Sequence, residues 1–200
     1  MPRTLRHGPQ RRTHPLVWFL AVICTIIAVA IIIAGMVVFV GYLVIHPRVP
    51  FISVANAHLH LLDNDLAGLL QTQISVTVRA ENDNQKADAT FSDIRLTLSF
   101  QGIKIAYLVA GQIEVSKKKS MDLNYVVQSS SIPLNPDQMD EVDFSRKRNV
   151  ISFELKGSAR AMWRVGPLGS VKFWNHLNCM LKFHPSNGTY IHSRCSSKSK

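Results

Sequence analysis

Two cysteines near the C-terminal end have the most definite chemistry in this 200-residue chain. Cys179 and Cys195 enclose a short segment, whereas the third cysteine, Cys24, lies in a long apolar run. An even number of cysteines in an oxidising compartment predicts a disulfide. Closing a loop of about 16 residues would stabilise the fold by roughly 3 kcal/mol in the chain-entropy model. The alternative is a buried thiol at Cys179 and a free thiol at Cys195.

Between these cysteines lies Asn187-Gly188-Thr189, the one Asn-x-Ser/Thr sequence of the chain in which x is not proline. Pro185, Ser186 and Gly188 are turn-forming residues, so we expect Asn187 on a surface turn. Such a turn accepts an N-linked glycan if it is on the lumenal or extracellular side of a membrane. Asn187 is therefore a candidate glycosylation site, and a chance occurrence of the sequence is the alternative.

Two histidines are spaced as metal ligands could be. His58 and His60 are expected on the same face of a strand, but the sequence offers no suitably spaced third ligand. The nearby acids Asp63 and Asp65 do not complete a known pattern. We interpret these side chains as the polar face of a half-buried strand and expect no metal.

Two charged segments are candidates for binding ions or polyanions. Lys117, Lys118 and Lys119 are expected at an exposed hairpin tip, where they could contact an acidic cell-wall polysaccharide. A second segment, with a short helix near 137–143, is acidic and ends in three basic residues, but it lacks the EF-hand pattern. A solvated surface is the alternative for both.

Catalytic signatures are absent from the sequence. There is no Gly-x-Ser-x-Gly, no His-Glu-x-x-His and no phosphate-binding glycine loop. We therefore expect a protein that is not an enzyme and has no cofactor.

The elements that position these residues begin with an apolar run. Residues 16–45 contain no Asp, Glu, Lys or Arg, and as a helix they would extend about 45 Å, more than the roughly 30 Å hydrocarbon core of a bilayer. Trp18 and Tyr42 lie near its two ends, as interfacial anchors do. We predict a transmembrane helix over 16–45.

Two features of this run leave alternatives. Ala28-Val29-Ala30 resembles a signal-peptide cleavage site, but signal sequences have apolar regions of only about 7–15 residues, so we favour an uncleaved anchor. The small residues Ala30, Ala34 and Gly35 permit close approach of two helices, which leaves homo-oligomerisation open.

Flanking charge sets the expected orientation. Four arginines and no acids precede the run, whereas only His46 and Arg48 closely follow it; the four are Arg3, Arg6, Arg11 and Arg12. The positive-inside rule then places a basic tail, 1–15, in the cytosol and residues 46–200 on the other side. We expect the plasma membrane as the location, with the membranes of the secretory route as the alternative. Residues 46–200 carry 19 of the 23 basic residues and all 13 acidic ones, a net charge of +6. Nucleic acid is not an expected partner there, whereas acidic polysaccharide, anionic lipid or another membrane protein is compatible.

Beyond the run, apolar and polar residues alternate with a period of two. In the first such segment Ala57, Leu59 and Leu61 are expected on the buried side, and in the last Val171 and Phe173 begin it. The segments are 57–61, 74–80, 94–100, 121–127, 151–155, 159–165 and 171–183. This pattern, with turn residues between segments, predicts a mainly β protein, an antiparallel β-sandwich. The final residues, 196–200, are expected to fray.

Several segments resemble those of a known protein family. "HPRVPF" at 46–51, "ISVANAHLHLLD" at 52–63, "LSFQGIKIAYLVAGQIEV" at 98–115 and "ISFELKGSARAMWRVG" at 151–166 resemble the plant harpin-induced-like and non-race-specific disease resistance family, whose distal domain is of the late-embryogenesis-abundant group 2 type. Members carry Asn-Pro-Asn after the second strand, and Asn82-Asp83-Asn84 stands there without the proline.

The resemblance implies a fibronectin-like sandwich outside the membrane and a part in plant defence or stress response. We expect a single-pass surface protein, 46–200 forming the sandwich, that acts by binding a partner or by wall–membrane adhesion. A lipid-binding or membrane-tethering module is the alternative.

Overall fold

The computed structural model describes residues 15–45, 49–65, 68–85, 87–164, 169–191 and 195–199. The predicted basic tail, with its four arginines, and residues 46–48 lie outside the described residues. The chain divides into two compact units, Met1–Pro47 and Arg48–Lys200. It is mainly β with one apolar N-terminal helix, which confirms the predicted fold class.

The first unit contains a long helix, α1, from Pro15 to Ile45. Its stretch Pro15–Gly41 has a mean hydropathy of 3.1 and is long enough to cross a membrane. The Thr25 hydroxyl donates a hydrogen bond to the Ala21 carbonyl at 2.8 Å, so this polar group has a partner inside the helix, as the apolar part of a bilayer requires. These properties fit a membrane anchor or a signal sequence.

The second unit contains two antiparallel sheets and one helix in the part that the structure describes. In chain order the elements are β1 (Phe51–Asn64), β2 (Leu69–Asn82), β3 (Ala89–Phe100), β4 (Ile103–Ala110), β5 (Ile113–Val115), β6 (Lys119–Gln128), β7 (Ile132–Pro133), α2 (Pro136–Arg148), β8 (Ile151–Arg164), β9 (Ser170–Phe183), β10 (Tyr190–Ile191) and β11 (Cys195–Ser199). Sheet A has the order β1-β2-β6, with β7 also paired to β2. Sheet B has the order β10-β9-β8-β3-β4, with β11 paired to β9 and β5 to β3.

The core lies between the two sheets and follows the period-two alternation. Every second residue of β2 from Leu70 to Asn82 is buried, and β8 and β9 repeat the pattern on sheet B. Phe153 is fully buried, and its ring lies 5.4 Å from that of Phe100 and 5.9 Å from that of Phe183. Burying each such side chain contributes about 1.5–3 kcal/mol, so the ring cluster is a main source of stability.

Two residues expected in the core are exposed. Leu61 is 41% exposed, because the β1–β2 register shifts between Leu59 and Leu61 and a bulge of this kind reverses the sides that follow it. Val171 is 45% exposed; it lies where β9 is an edge strand, since β11 pairs with β9 only from Asn175 onward. The prediction of a buried side chain was wrong at both positions.

The helix α2 is longer than the segment predicted at 137–143. Asn135 caps it: its side chain accepts a hydrogen bond from the Gln138 amide at 2.8 Å, and the Gln138 side chain accepts one from the Asn135 amide at 3.0 Å. This reciprocal capping box, followed by Pro136, starts a helix strongly. Asn149 ends it in a left-handed conformation with φ 52°.

The C-terminal segment, expected to fray, forms a strand instead. Residues of β11 pair with β9, Ser196 opposite Asn178 and Lys198 opposite His176. The prediction rested on composition, but backbone pairing does not require apolar side chains when a neighbouring strand offers an open edge.

Candidate functional site

The two distal cysteines are brought together by β9 and β11. Cys195 lies directly opposite Cys179, with a Cα–Cα distance of 4.3 Å, and the two form a disulfide. Cys179 is fully buried among the core residues, and Cys195 packs against the same core. The remaining cysteine, Cys24, is a free thiol in α1. The bond therefore holds the C-terminal strand on sheet B.

The predicted glycosylation site lies on an exposed turn between β9 and β10. The Asn187 side chain is exposed, and its Oδ1 accepts a hydrogen bond from the Thr189 amide at 3.0 Å. Gly188 has φ +70°, and a Cβ there would lie 1.9 Å from the Leu59 carbonyl oxygen. Because the Leu59 amide also donates to the Gly188 carbonyl at 3.0 Å, the turn is fixed to β1 while Asn187 faces outward.

His58 and His60 lie close to each other on β1. Their ring centroids are 4.7 Å apart, and His60 Nε2 lies 3.0 Å from the Ser75 hydroxyl. No cluster of three or more metal-ligating residues occurs among the residues that the structure describes. The pair is part of the hydrogen-bonded outer side of sheet A.

The three consecutive lysines are exposed, but not at a hairpin tip. Lys117 and Lys118 form the turn between β5, in sheet B, and β6, in sheet A, and Lys119 begins β6. The Lys117 amide donates to Asp88 Oδ1 at 2.8 Å, and Lys118 has φ 54°. The expected hairpin is wrong because the chain crosses here from one sheet to the other. Register places this turn at the opposite end of sheet B from the Asn187 turn.

The acidic segment forms the exposed side of α2, where Glu141 forms an ion pair with Arg148 at 3.2 Å.

The proposed interface anchors lie on α1. Trp18 is exposed near the start of α1, whereas the side chain of Tyr42 lies outside the described residues.

The outer side of sheet A is polar and internally bonded; we call it the polar face. Arg79 binds Asp122 through two hydrogen bonds of 2.7 and 2.9 Å, and Thr77 donates to Asn124 at 2.9 Å. The hydrogen bond raises the pKa of Arg79 and lowers the pKa of Asp122. With Arg79 as its one base and three acids, the face has a net charge of −2 among the described residues. Its members include Ser53, Asn56, His58, His60, Leu61, Asp63, Gln71, Gln73, Ser75, Thr77, Arg79, Glu81, Ser120, Asp122, Asn124, Val126 and Gln128.

The outer side of sheet B is strongly basic; we call it the cationic face. In the part of the chain that the structure describes it carries eight basic side chains and three acidic ones, a net charge of +5. The basic residues are Arg95, Lys104, Lys156, Arg160, Arg164, Lys172, Lys182 and Lys198, and the acidic ones are Asp93, Glu114 and Glu154.

Two of the acidic residues neutralise neighbours on this face. Glu154 pairs with Lys156, and Asp93 lies 3.5 Å from Arg160. The Arg160 guanidinium also lies 4.7 Å from the centre of the Trp174 ring, and Lys104 Nζ lies 5.9 Å from that of Tyr107. The cations are thus interleaved with aromatic side chains.

Sequence reasoning located the lysine turn and missed the cationic face. The eight basic residues come from five strands and are separated by up to about a hundred positions in sequence, so no local window contains the cluster. The alternation within β8 and β9 places Lys156, Arg160, Lys172 and Lys182 on the polar sides of their strands. Knowledge of which strands are neighbours was needed to combine them.

Comparison with known proteins finds a similar sequence. No family model matches the chain. NDR1/HIN1-like protein 12 of Arabidopsis thaliana is 20% identical over 158 residues, which are 78% of this chain and 75% of that protein. This similarity agrees with the resemblance to the NDR1/HIN1-like family that the sequence motifs indicate. The similarity supports a plant defence or stress-related family.

Two solved structures also align with this chain. A protein from Archaeoglobus fulgidus is 12% identical with a TM-score of 0.27, covering 74% of this chain and 98% of that one. A protein from Arabidopsis thaliana, solved in solution, is 11% identical with a TM-score of 0.28, covering 74% and 82%.

Proposed function

We propose that this protein is a single-pass membrane protein whose non-catalytic β-sandwich is held on the non-cytosolic side of the plasma membrane. It acts there in plant defence or stress response by binding a partner or by joining the membrane to the cell wall. The basic tail, 1–15, is on the cytosolic side, and a signal passes through a bound partner or through self-association.

The disulfide in the domain that follows the apolar helix carries this proposal. Disulfides persist in oxidising compartments and are rare in the cytosol, and the Cys179–Cys195 bond closes the C-terminal strand onto sheet B. The length of α1, with four arginines shortly before it and only Arg48 shortly after it, favours the same orientation. The exposed Asn187 turn is compatible with glycosylation on that side.

The packing between the sheets supports surface binding over lipid handling. Phe91, Phe100, Phe153 and Phe183 are fully buried and pack in the core on the sheet B side. A protein that carries an apolar ligand between its sheets needs a cavity of several hundred cubic ångströms there. A lipid-binding or tethering module is the alternative, and it would be favoured by lipid that copurifies with the protein.

Protease protection of sealed microsomes tests the orientation. With a tag after Lys200, we expect the tag to survive protease until detergent is added. An Asn187→Gln variant supplies the second readout: a glycan-sized mobility difference between it and the native chain would place the turn in the lumen independently of the protease. Digestion of the tag in intact vesicles would reject a non-cytosolic sandwich.

A further inference from the structure

We propose that the cationic face binds a linear, carboxylate-bearing polymer, an acidic polysaccharide, which lies along β8 and β9. The inference names the partner and the surface for the binding role proposed above, and it rests on that role for the side of the membrane on which the polymer is met. The lysine turn, Lys117–Lys119, is not the principal site.

The dimensions of the face fit an extended polymer better than a small anion. β8 and β9 pair from Arg164 opposite Ser170 to Ile151 opposite Phe183. Lys172 and Lys182 are ten positions apart on one side of β9, a distance of about 33 Å at about 3.3 Å per residue. A small anion would contact only one of these two lysines, whereas a linear polymer can contact both and the cations between them.

Several cations on this face have no acidic partner among the described residues. No ion pair involves Lys172, Lys182 or Lys198 there. On the polar face, by contrast, Arg79 is bound by both oxygens of Asp122. Like charges that are left unpaired repel one another, and a polyanion relieves that repulsion, so the charge pattern favours this class of ligand.

The aromatic residues suit a sugar polymer. Trp174 lies between Lys172 and His176 on the outer side of β9 and is 37% exposed. The contact with Arg160 restricts its orientation. A fixed ring gives an apolar surface for the C–H side of a pyranose while the adjacent cations bind its carboxylates.

An anionic membrane is a poorer fit than a polymer. In the proposed orientation the sandwich meets the non-cytosolic leaflet, whereas the anionic lipids that attract basic segments belong to the cytosolic leaflet. The lysine turn is also a poorer candidate, because it is confined to one corner of the sandwich and the Asp88 carboxylate, which accepts a hydrogen bond from the Lys117 backbone amide, places a negative charge beside it.

Binding of polygalacturonate to the full-length protein in neutral detergent micelles tests the proposal. A face variant, Lys172→Gln with Lys182→Gln and Lys198→Gln, all on β9 or its neighbour β11, is compared with a turn variant in which Lys117, Lys118 and Lys119 are replaced by Gln. Both lose three charges, all from exposed positions. We expect the face variant to bind roughly tenfold more weakly or worse and the turn variant to stay within about twofold, and native binding to weaken steeply from about 0.05 to about 0.5 M salt.

Three outcomes would overturn the proposal. Equal losses in both variants would mean that net charge, not the face, controls binding, and no polygalacturonate binding by the native protein would exclude the ligand class. Binding only to phosphatidylcholine vesicles with about 30% phosphatidylserine would assign the face to lipid instead. Thermal unfolding of each variant shows whether it is folded. Failure of the orientation experiment with polymer binding intact would reject the proposed function and leave the surface chemistry standing.

Discussion

The two outer faces of the sandwich differ in how their polar side chains are paired. On the polar face, short side chains bond to their neighbours across the strands, as Thr77 does to Asn124 and Ser53 to Glu81. On the cationic face, long basic side chains extend to solvent and meet few acids. Polar groups that bond to each other have little left to offer a ligand, whereas unpaired cations retain their affinity for anions.

The difference shows that the net charge of a domain is a poor guide to where it acts. Residues 46–200 carry +6, and the cationic face alone accounts for +5 of it. A basic surface spread evenly over the sandwich would have the same total and no preferred side. The concentration of basic residues on the outer side of sheet B therefore indicates a binding surface.

The largest expected effect comes from the position where sheet B is tightest. Gly157 on β8 lies opposite Leu96, beyond a register shift in β3, and a Cβ there would lie 2.1 Å from the Arg95 carbonyl oxygen and 2.6 Å from the Leu96 Cα. Because both obstacles are backbone atoms, we expect Gly157→Ala to lower the free energy of unfolding by at least about 3 kcal/mol, measured by denaturant titration of the full chain in micelles.

Gly111→Ala is the matched control, since nothing lies within 4 Å of the added Cβ. We expect this variant to stay within about 0.5 kcal/mol of the native chain. If both variants unfold together with the native protein, the close approach of β3 and β8 does not exist in solution, and the spacing of cations across those strands would have to be revised.

The next largest effect is expected from the Cys179–Cys195 disulfide, which joins β11 to β9 at the edge of the cationic face. Replacing Cys195 by Ser should lower the free energy of unfolding by roughly 3 kcal/mol, because β11 is then held only by backbone pairing. The strand carries Lys198, so polymer binding should weaken as well. Cys24→Ser removes a thiol outside the sandwich and should change neither quantity; a variant at Cys195 as stable as the native chain would mean that the bond does not form.

Moving three charges from the cationic face to the polar face tests whether the position of the charge or its total controls binding. Adding Gln71→Lys, Ser120→Lys and Val126→Lys to the face variant restores the net charge but places it on the polar face. We expect polygalacturonate affinity to stay roughly tenfold below the native value, because the array and not the total attracts the polymer. Recovery to the native affinity would show that the two faces are equivalent.

Much of the fold was predictable from local pattern. The alternation of β2, with Ile74, Val76 and Val78 buried, follows from a period of two, and the long charge-free run predicted α1. Errors arose where one residue changed the register, as at Leu61, or where capping outside the acidic segment set the length of α2. Such features depend on single residues and on partners elsewhere in the chain.

The candidate surface was predictable only in part, for a related reason. Cys179 and Cys195 could be proposed as a pair because few cysteines were available to choose from. The cationic face required the order β9-β8-β3-β4, which joins residues from Arg95 to Lys198. Period-two patterns say which side of a strand is polar, but they do not say which strands are neighbours.

The smallest effect concerns a difference between the inner sides of the two sheets. Sheet B contributes phenylalanine rings to the core, whereas β6 of sheet A contributes Tyr125, whose hydroxyl is buried with no hydrogen-bond partner among the described residues. Burial raises the pKa of Tyr125 above its usual value. The folded state therefore disfavours the phenolate. The contribution of neutral Tyr125 to the free energy of unfolding is present below about pH 10. It is lost as the pH rises through the folded-state pKa, because the unfolded chain ionises first.

We expect Tyr125→Phe to be at least as stable as the native chain at pH 7, since no buried hydroxyl is then left without a partner. Above about pH 10 the variant should lose less stability than the native chain, as measured by thermal unfolding across the alkaline range. Tyr107→Phe, on the exposed side of β4, is the matched control and should keep the native alkaline loss. If the Tyr125 variant instead follows the native pH curve, its hydroxyl is solvated in solution, and sheet A is packed less closely against sheet B than the structure has it.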